Sequence, residues 1–116
     1  MASFKIDLST AAVIVATSPQ PKIANRRTGE IATDPETGAQ LMTVGLMVVD
    51  DGEANLLDKV TVLETGITGE LTTGAPVGVT GLRAREWENV FNGEKRQGIS
   101  FRAVAITPMV PATVQG

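Results

Sequence analysis

Hydrophobic and polar positions along this chain alternate in short stretches punctuated by glycine, proline and Asn/Asp pairs, a rhythm of strands rather than helices. Phe4 to Leu8 alternates, and Ala11 to Thr17 is a run of small and β-branched residues, so together they predict a first strand interrupted near Ser9. Ser18-Pro19-Gln20-Pro21 ends that strand or places it at a sheet edge, because proline cannot donate a ladder hydrogen bond. Lys22 to Gln40 reads as a long polar connection with turn signals at Thr28-Gly29, Asp34-Pro35 and Thr37-Gly38. Leu41 to Val49 is apolar on both parities, the pattern of a strand covered on both faces or lying in a subunit interface. Asp50-Asp51-Gly52 turns the chain into the next strand, Asn55 to Glu64, and the glycines between Thr65 and Thr73 leave room for a turn or two of helix at most.

The stretch from Gly74 to Pro108 predicts a β-hairpin with its turn at Asn92-Gly93, where both residues tolerate positive φ. Val77, Val79, Leu82 and Ala84 read as core, while Arg83, Arg85 and Trp87 share one parity and project together from the other face. Both sets fit only if the pleat shifts phase near Thr80-Gly81, where glycine permits a bulge. Five strands with little helix result, and the fold class expected is all-β.

Length and composition narrow the function. A chain of 116 residues supports a single core, read here as one domain over 1–108 followed by a tail over 109–116. With no cysteine and no histidine, disulfides, thiol catalysis, thiolate metal sites and imidazole acid-base chemistry are all excluded. The carboxylates crowd two turns, Asp34 with Glu36 and Asp50, Asp51 with Glu53, but turns favour Asp for local hydrogen bonding, and the second cluster has too few ligands for a calcium loop. Neither an enzyme nor a cofactor-binding or metal-binding protein is expected. No apolar run is long enough to span a bilayer and the N-terminus lacks a secretory pattern, so the expected location is cytoplasmic.

The net charge of −3 opposes binding to a polyanion, yet the charge is segregated. Residues 22–27 carry three positive and no negative side chains, residues 28–75 one positive and nine negative, and residues 77–108 five positive and three negative. One face could thus be positive on a protein that is acidic overall.

The spacing of Val79, Gly81, Leu82, Arg83, Arg85, Trp87, Gly93, Ile99, Arg102, Ala103, Val104 and Ile106 resembles the last two strands of bacterial single-stranded-DNA-binding proteins and the related primosomal replication proteins. Lys59-Val60-Thr61-Val62 and the link to Thr73-Gly74 resemble that family's third strand and connecting segment, so the likeness covers Leu41 to Thr107. It implies a five-stranded oligonucleotide/oligosaccharide-binding (OB) barrel with a short or absent helix between strands three and four. It further implies a single-stranded DNA-binding protein of low sequence specificity, acting in replication, recombination or mobile-element transfer, with RNA as the other candidate ligand. Together with the doubly apolar Leu41–Val49 strand it suggests a homodimer or homotetramer, and replication proteins are candidate partners.

On this reading Trp87 stacks on a base and Arg83 and Arg85 pair with phosphates, with Arg102 following on the partner strand. Lys22, Arg26 and Arg27 stand at the mouth of the long loop and Lys95 and Arg96 just past the hairpin turn, placed to clamp a strand's backbone. Phe91, an aromatic near a polar turn, stacks on a base or caps the barrel. A competing reading leaves Trp87 as a barrel plug or interface residue and the arginines as a solvated face whose field Glu86, Glu88 and Glu94 blunt. The protein would then be an OB-type protein-interaction or structural module without nucleic-acid binding. The two readings part on whether the early loop and the last hairpin converge on one positive face.

Overall fold

The computed structural model describes residues 3–109, with Phe91 by its backbone alone. The predicted tail therefore lies, beyond Met109, outside the described residues. The first strand is broken as expected: β1 (Ser3–Lys5) and β2 (Ala12–Pro21) are separated by a bend in which Asp7 Oδ1 accepts the Ser9 amide at 2.9 Å. The long connection is more ordered than its composition suggests, since β3 (Ile23–Asn25) and β4 (Glu30–Ile31) pair as a small antiparallel ribbon. Then come β5 (Leu41–Asp50), β6 (Glu53–Leu63), a single 3-10 turn over Glu64–Gly66, β7 (Val77–Thr80), β8 (Arg83–Phe91), β9 (Glu94–Arg102) and β10 (Ala105–Pro108).

Two tight turns have the chemistry that the sequence requires. Asp51 and Gly52 take φ of 54° and 78° between the paired residues Asp50 and Glu53, and Asn92 and Gly93 take 52° and 79° between Phe91 and Glu94.

The fold is all-β. A six-stranded mixed sheet runs in the order β1-β8-β9-β6-β5-β2, antiparallel except where β6 meets β9 through Val60↔Phe101 and Thr61↔Arg102. Its inner face carries Val13, Val15, Val44, Leu46, Val60 and Val62, all buried, and the β7–β10 ribbon covers that face with Val77 and Ile106. Burying side chains of this size contributes roughly 1.5–3 kcal/mol each before chain entropy is counted. The free edge of β2 meets the segment before β7, where Val15 donates to the Ala75 carbonyl at 2.9 Å and Gly74 donates to the Val15 carbonyl at 2.7 Å. The ladders do not run continuously around the molecule, so the sheet stays open.

The long hairpin bends where the sequence places its phase shift. Gly81 has φ of 65°, and a Cβ there would stand 2.6 Å from Val104 Cγ2. The bend divides the hairpin into an inner ribbon, β7 with β10, that covers the core and an outer ribbon, β8 with β9, that joins the main sheet. Leu82 is thereby buried while Arg83 and Arg85 are exposed. It also frees Arg102 from the parity of Ile106: the strand breaks at Ala103–Val104, leaving Val104 67% exposed and Ile106 fully buried.

Candidate nucleic-acid interface

Cross-strand register assembles a polar row over the outer face of the sheet. Lys5 pairs with Arg83, Arg83 with Arg102, Arg102 with Thr61, Thr61 with Thr43 and Thr43 with Gln20, one residue from each of the six strands. At 4.7–4.9 Å between strands the row is about 24 Å long. Ser3, Arg85 and Ser100 form a second row alongside. These residues point outward because their immediate neighbours Phe101, Val60 and Val44 pair across the inner face.

Two adjoining hollows of about 480 and 420 Å³ lie over these rows and share Lys22, Thr61 and Ser100. Lys22, Arg26 and Lys59 line the first, and Lys22, Arg83, Arg85 and Arg102 line the second. Among the described residues, no carboxylate belongs to either lining. The early basic cluster and the last hairpin thus meet in one groove. Lys22 is drawn across by a hydrogen bond from its Nζ to Thr61 Oγ1 at 3.3 Å, and Arg83 Nε donates to Ser3 Oγ at 3.0 Å.

The acids nearest in sequence lie outside these two hollows, although Glu86 and Glu88 share a further hollow with Trp87. Glu86 pairs with Ile99 and Glu88 with Gln97, the parity opposite to that of Arg85 and Trp87. The one ion pair among the described residues joins Lys95 Nζ to Glu88 Oε1 at 3.1 Å. A field concentrated in the groove thus coexists with a net charge of −3.

Trp87 extends the arginine line along β8, two residues or about 7 Å beyond Arg85. Its indole covers Gly98, the residue paired with it on β9: a Cβ at Gly98 would lie 2.7 Å from Cζ2 and 2.8 Å from Cε2. The missing side chain gives the ring a seat and leaves Trp87 40% exposed.

Not every expected residue joins the groove. Arg27 sits in the exposed turn after β3, its amide bonded to Asn25 Oδ1 at 2.9 Å, and lines neither hollow. Lys95 is turned to the other face with Glu88, and Arg96, paired with Asn89, lies out along the hairpin arm. The Phe91 side chain lies outside the described residues. Lys59 and Lys5 join the basic surface without having been expected there. The alternation Lys59-Val60-Thr61-Val62 carried the signal for Lys59, since a buried Val60 turns Lys59 and Thr61 outward together.

The groove can hold a chain of phosphates, with cations and hydroxyls at strand spacing, while Trp87 lies beyond it along β8 and lines a separate hollow together with Glu86, Glu88 and Ile99. Among the described residues, no three His, Cys, Asp or Glu side chains gather to hold a metal, and no helix is long and apolar enough to cross a membrane. Comparison with protein-family models, with curated proteins and with solved structures finds no match.

Proposed function

We propose that this chain binds single-stranded DNA with little sequence preference, its backbone lying along the Arg83–Arg102–Thr61 row and a base stacking on Trp87. The observation that carries the reading is the carboxylate-free lining of the groove in an acidic protein. Phosphate contacts of this kind position a strand without reading its sequence, and stacking on an indole tolerates any base.

The scaffold proposed is an OB-type five-stranded barrel. The β2-β5-β6 meander, the parallel contact of β6 with β9 and the hairpin formed by β8 and β9 support it. So does a first strand whose halves lie at opposite edges of the sheet, β1 on β8 and β2 on β5. The proposed setting is DNA replication, recombination or mobile-element transfer in the cytoplasm.

The test is fluorescence anisotropy of labelled oligo-dT, oligo-rU and duplex DNA at low and moderate salt, with Trp87 emission followed in parallel. The reading expects oligo-dT to bind more tightly than duplex, to be released by salt and to quench Trp87. Binding to none of the three at low salt overturns it and leaves the protein-interaction module as the reading to pursue.

A further inference from the structure

At the Lys5–Arg83 end of the basic row the sheet gives way to another hollow, of about 640 Å³. Ile6, Leu8, Val79 and Val104 wall it with apolar side chains, and Lys5, Ser9 and Arg83 are its polar members. It opens at the bend of the hairpin, where Gly81 carries no side chain and Val104 Cγ2 would stand 2.6 Å from a Cβ placed there. Val104 is 67% exposed, an apolar side chain outside the core that lines a concave site.

We propose that this hollow receives a base of the bound strand, with the adjoining phosphate held between Lys5 and Arg83. The inference rests on the single-strand reading above and adds a second base site to it. The hollow continues the groove: Arg83 lines both it and the hollow that holds Arg85 and Arg102, so a strand lying along the row arrives here after Arg83. Its charge is complementary to a nucleotide. Lys5 and Arg83 are like charges directly opposite on neighbouring strands, and neither has an ion-pair partner among the described residues. Among those residues no carboxylate belongs to the lining, and Asp7, the acid nearest in sequence, turns its carboxylate to the Ser9 amide instead. Mostly apolar walls with a few convergent polar groups suit a ligand that is flat and weakly polar at one end and anionic at the other.

A second base site answers the shortage of aromatic side chains. Trp87 stands about 13 Å from Arg83 along β8, on the opposite side of it from the Gly81 bend. One strand can therefore keep its phosphates on the arginines and place separate bases at Trp87 and in the hollow. Contact with aliphatic walls is non-directional, so it holds any base and preserves the low sequence preference.

Photocrosslinking of the full chain to oligo-dT carrying 4-thiothymidine, at low salt, tests this. Crosslinks are expected within residues 6–9 or at Val104, and crosslinks confined to other residues, Trp87 included, overturn the base site. Titration of wild type and Val104→Ser with oligo-dT and with an abasic oligomer of the same length gives a second readout. Because Val104 is exposed, the variant should keep the circular dichroism of wild type. Its Kd for oligo-dT should rise about fourfold, the equivalent of one methylene taken out of contact, with the abasic oligomer bound as before. No loss, or an equal loss for both oligomers, overturns the base site while the single-strand reading stands. Failure of oligo-dT to bind at all refutes both.

Discussion

The indole of Trp87 occupies the space that a side chain at Gly98 would fill, a Cβ there lying 2.7 Å from Cζ2. Gly98→Ala therefore forces the ring off its seat. Trp87→Ala is expected to weaken oligo-dT binding by about 1–3 kcal/mol, roughly 5- to 150-fold, and Gly98→Ala to cause a smaller loss together with a shift in tryptophan emission. Anisotropy and emission spectra on the two variants check both. Equal affinity for wild type and Trp87→Ala would remove stacking from the mechanism.

Arg83 and Arg102 are like charges placed directly opposite on neighbouring strands, a pairing that costs stability until an anion arrives. Arg102→Gln is expected to stabilise the free protein at low salt by roughly 0.2–1 kcal/mol and to weaken oligo-dT binding. Urea melts and titrations on one preparation report the two opposite signs. A variant less stable than wild type would show that Arg102 serves the fold.

Lys59 and Lys95 separate position from charge. Lys59 lines the groove, and Lys95 is paired with Glu88 on the other face. Lys59→Gln is expected to weaken oligo-dT binding and to reduce the slope of log K against log salt by about 0.7, the loss of one phosphate contact. Lys95→Gln should leave the slope unchanged.

Asp7 holds the bend between β1 and β2. Hydrogen bonds from the backbone and the side chain of Ser9 hold its carboxyl below the ordinary value of 3.8. A carboxylate lowered on folding contributes stability above its unfolded pKa and loses it as pH falls through the folded one. Asp7→Asn is therefore expected to lower the urea midpoint slightly at neutral pH, with the difference from wild type vanishing in strong acid. An equal difference at both pH values would assign the loss to packing instead.

Much of this is legible in the amino-acid sequence. Strand alternation, the Asp51-Gly52 and Asn92-Gly93 turns and the phase shift at Gly81 are local properties, and each stands where its residues predict. The joint outward parity of Arg83, Arg85 and Trp87 followed from that shift. What local reading could not reach is long-range register. The meeting of Lys22 with Arg83 depends on β6 and β9 pairing in parallel, and the separation of Glu86 and Glu88 from the arginines depends on which face of the hairpin joins the sheet. The exposure of Arg102 beside a buried Ile106 depends on a break at Ala103–Val104, which leaves no signal in a run of apolar residues. Lys59 was hidden by its acidic neighbourhood in sequence, which the folded chain leaves outside the groove.

The central claim is that one groove, floored by the Arg83–Arg102–Thr61 row, receives the strand, with Trp87 beyond it on β8 taking a base. Backbone and indole amide shifts in a ¹⁵N-labelled sample titrated with oligo-dT test it most directly. The groove model predicts the largest changes at Lys22, Lys59, Thr61, Arg83, Ser100 and Arg102 and at the Trp87 indole N–H. Changes confined to the Arg27 turn or the Lys95 side of the hairpin arm, with the row unmoved, would contradict it.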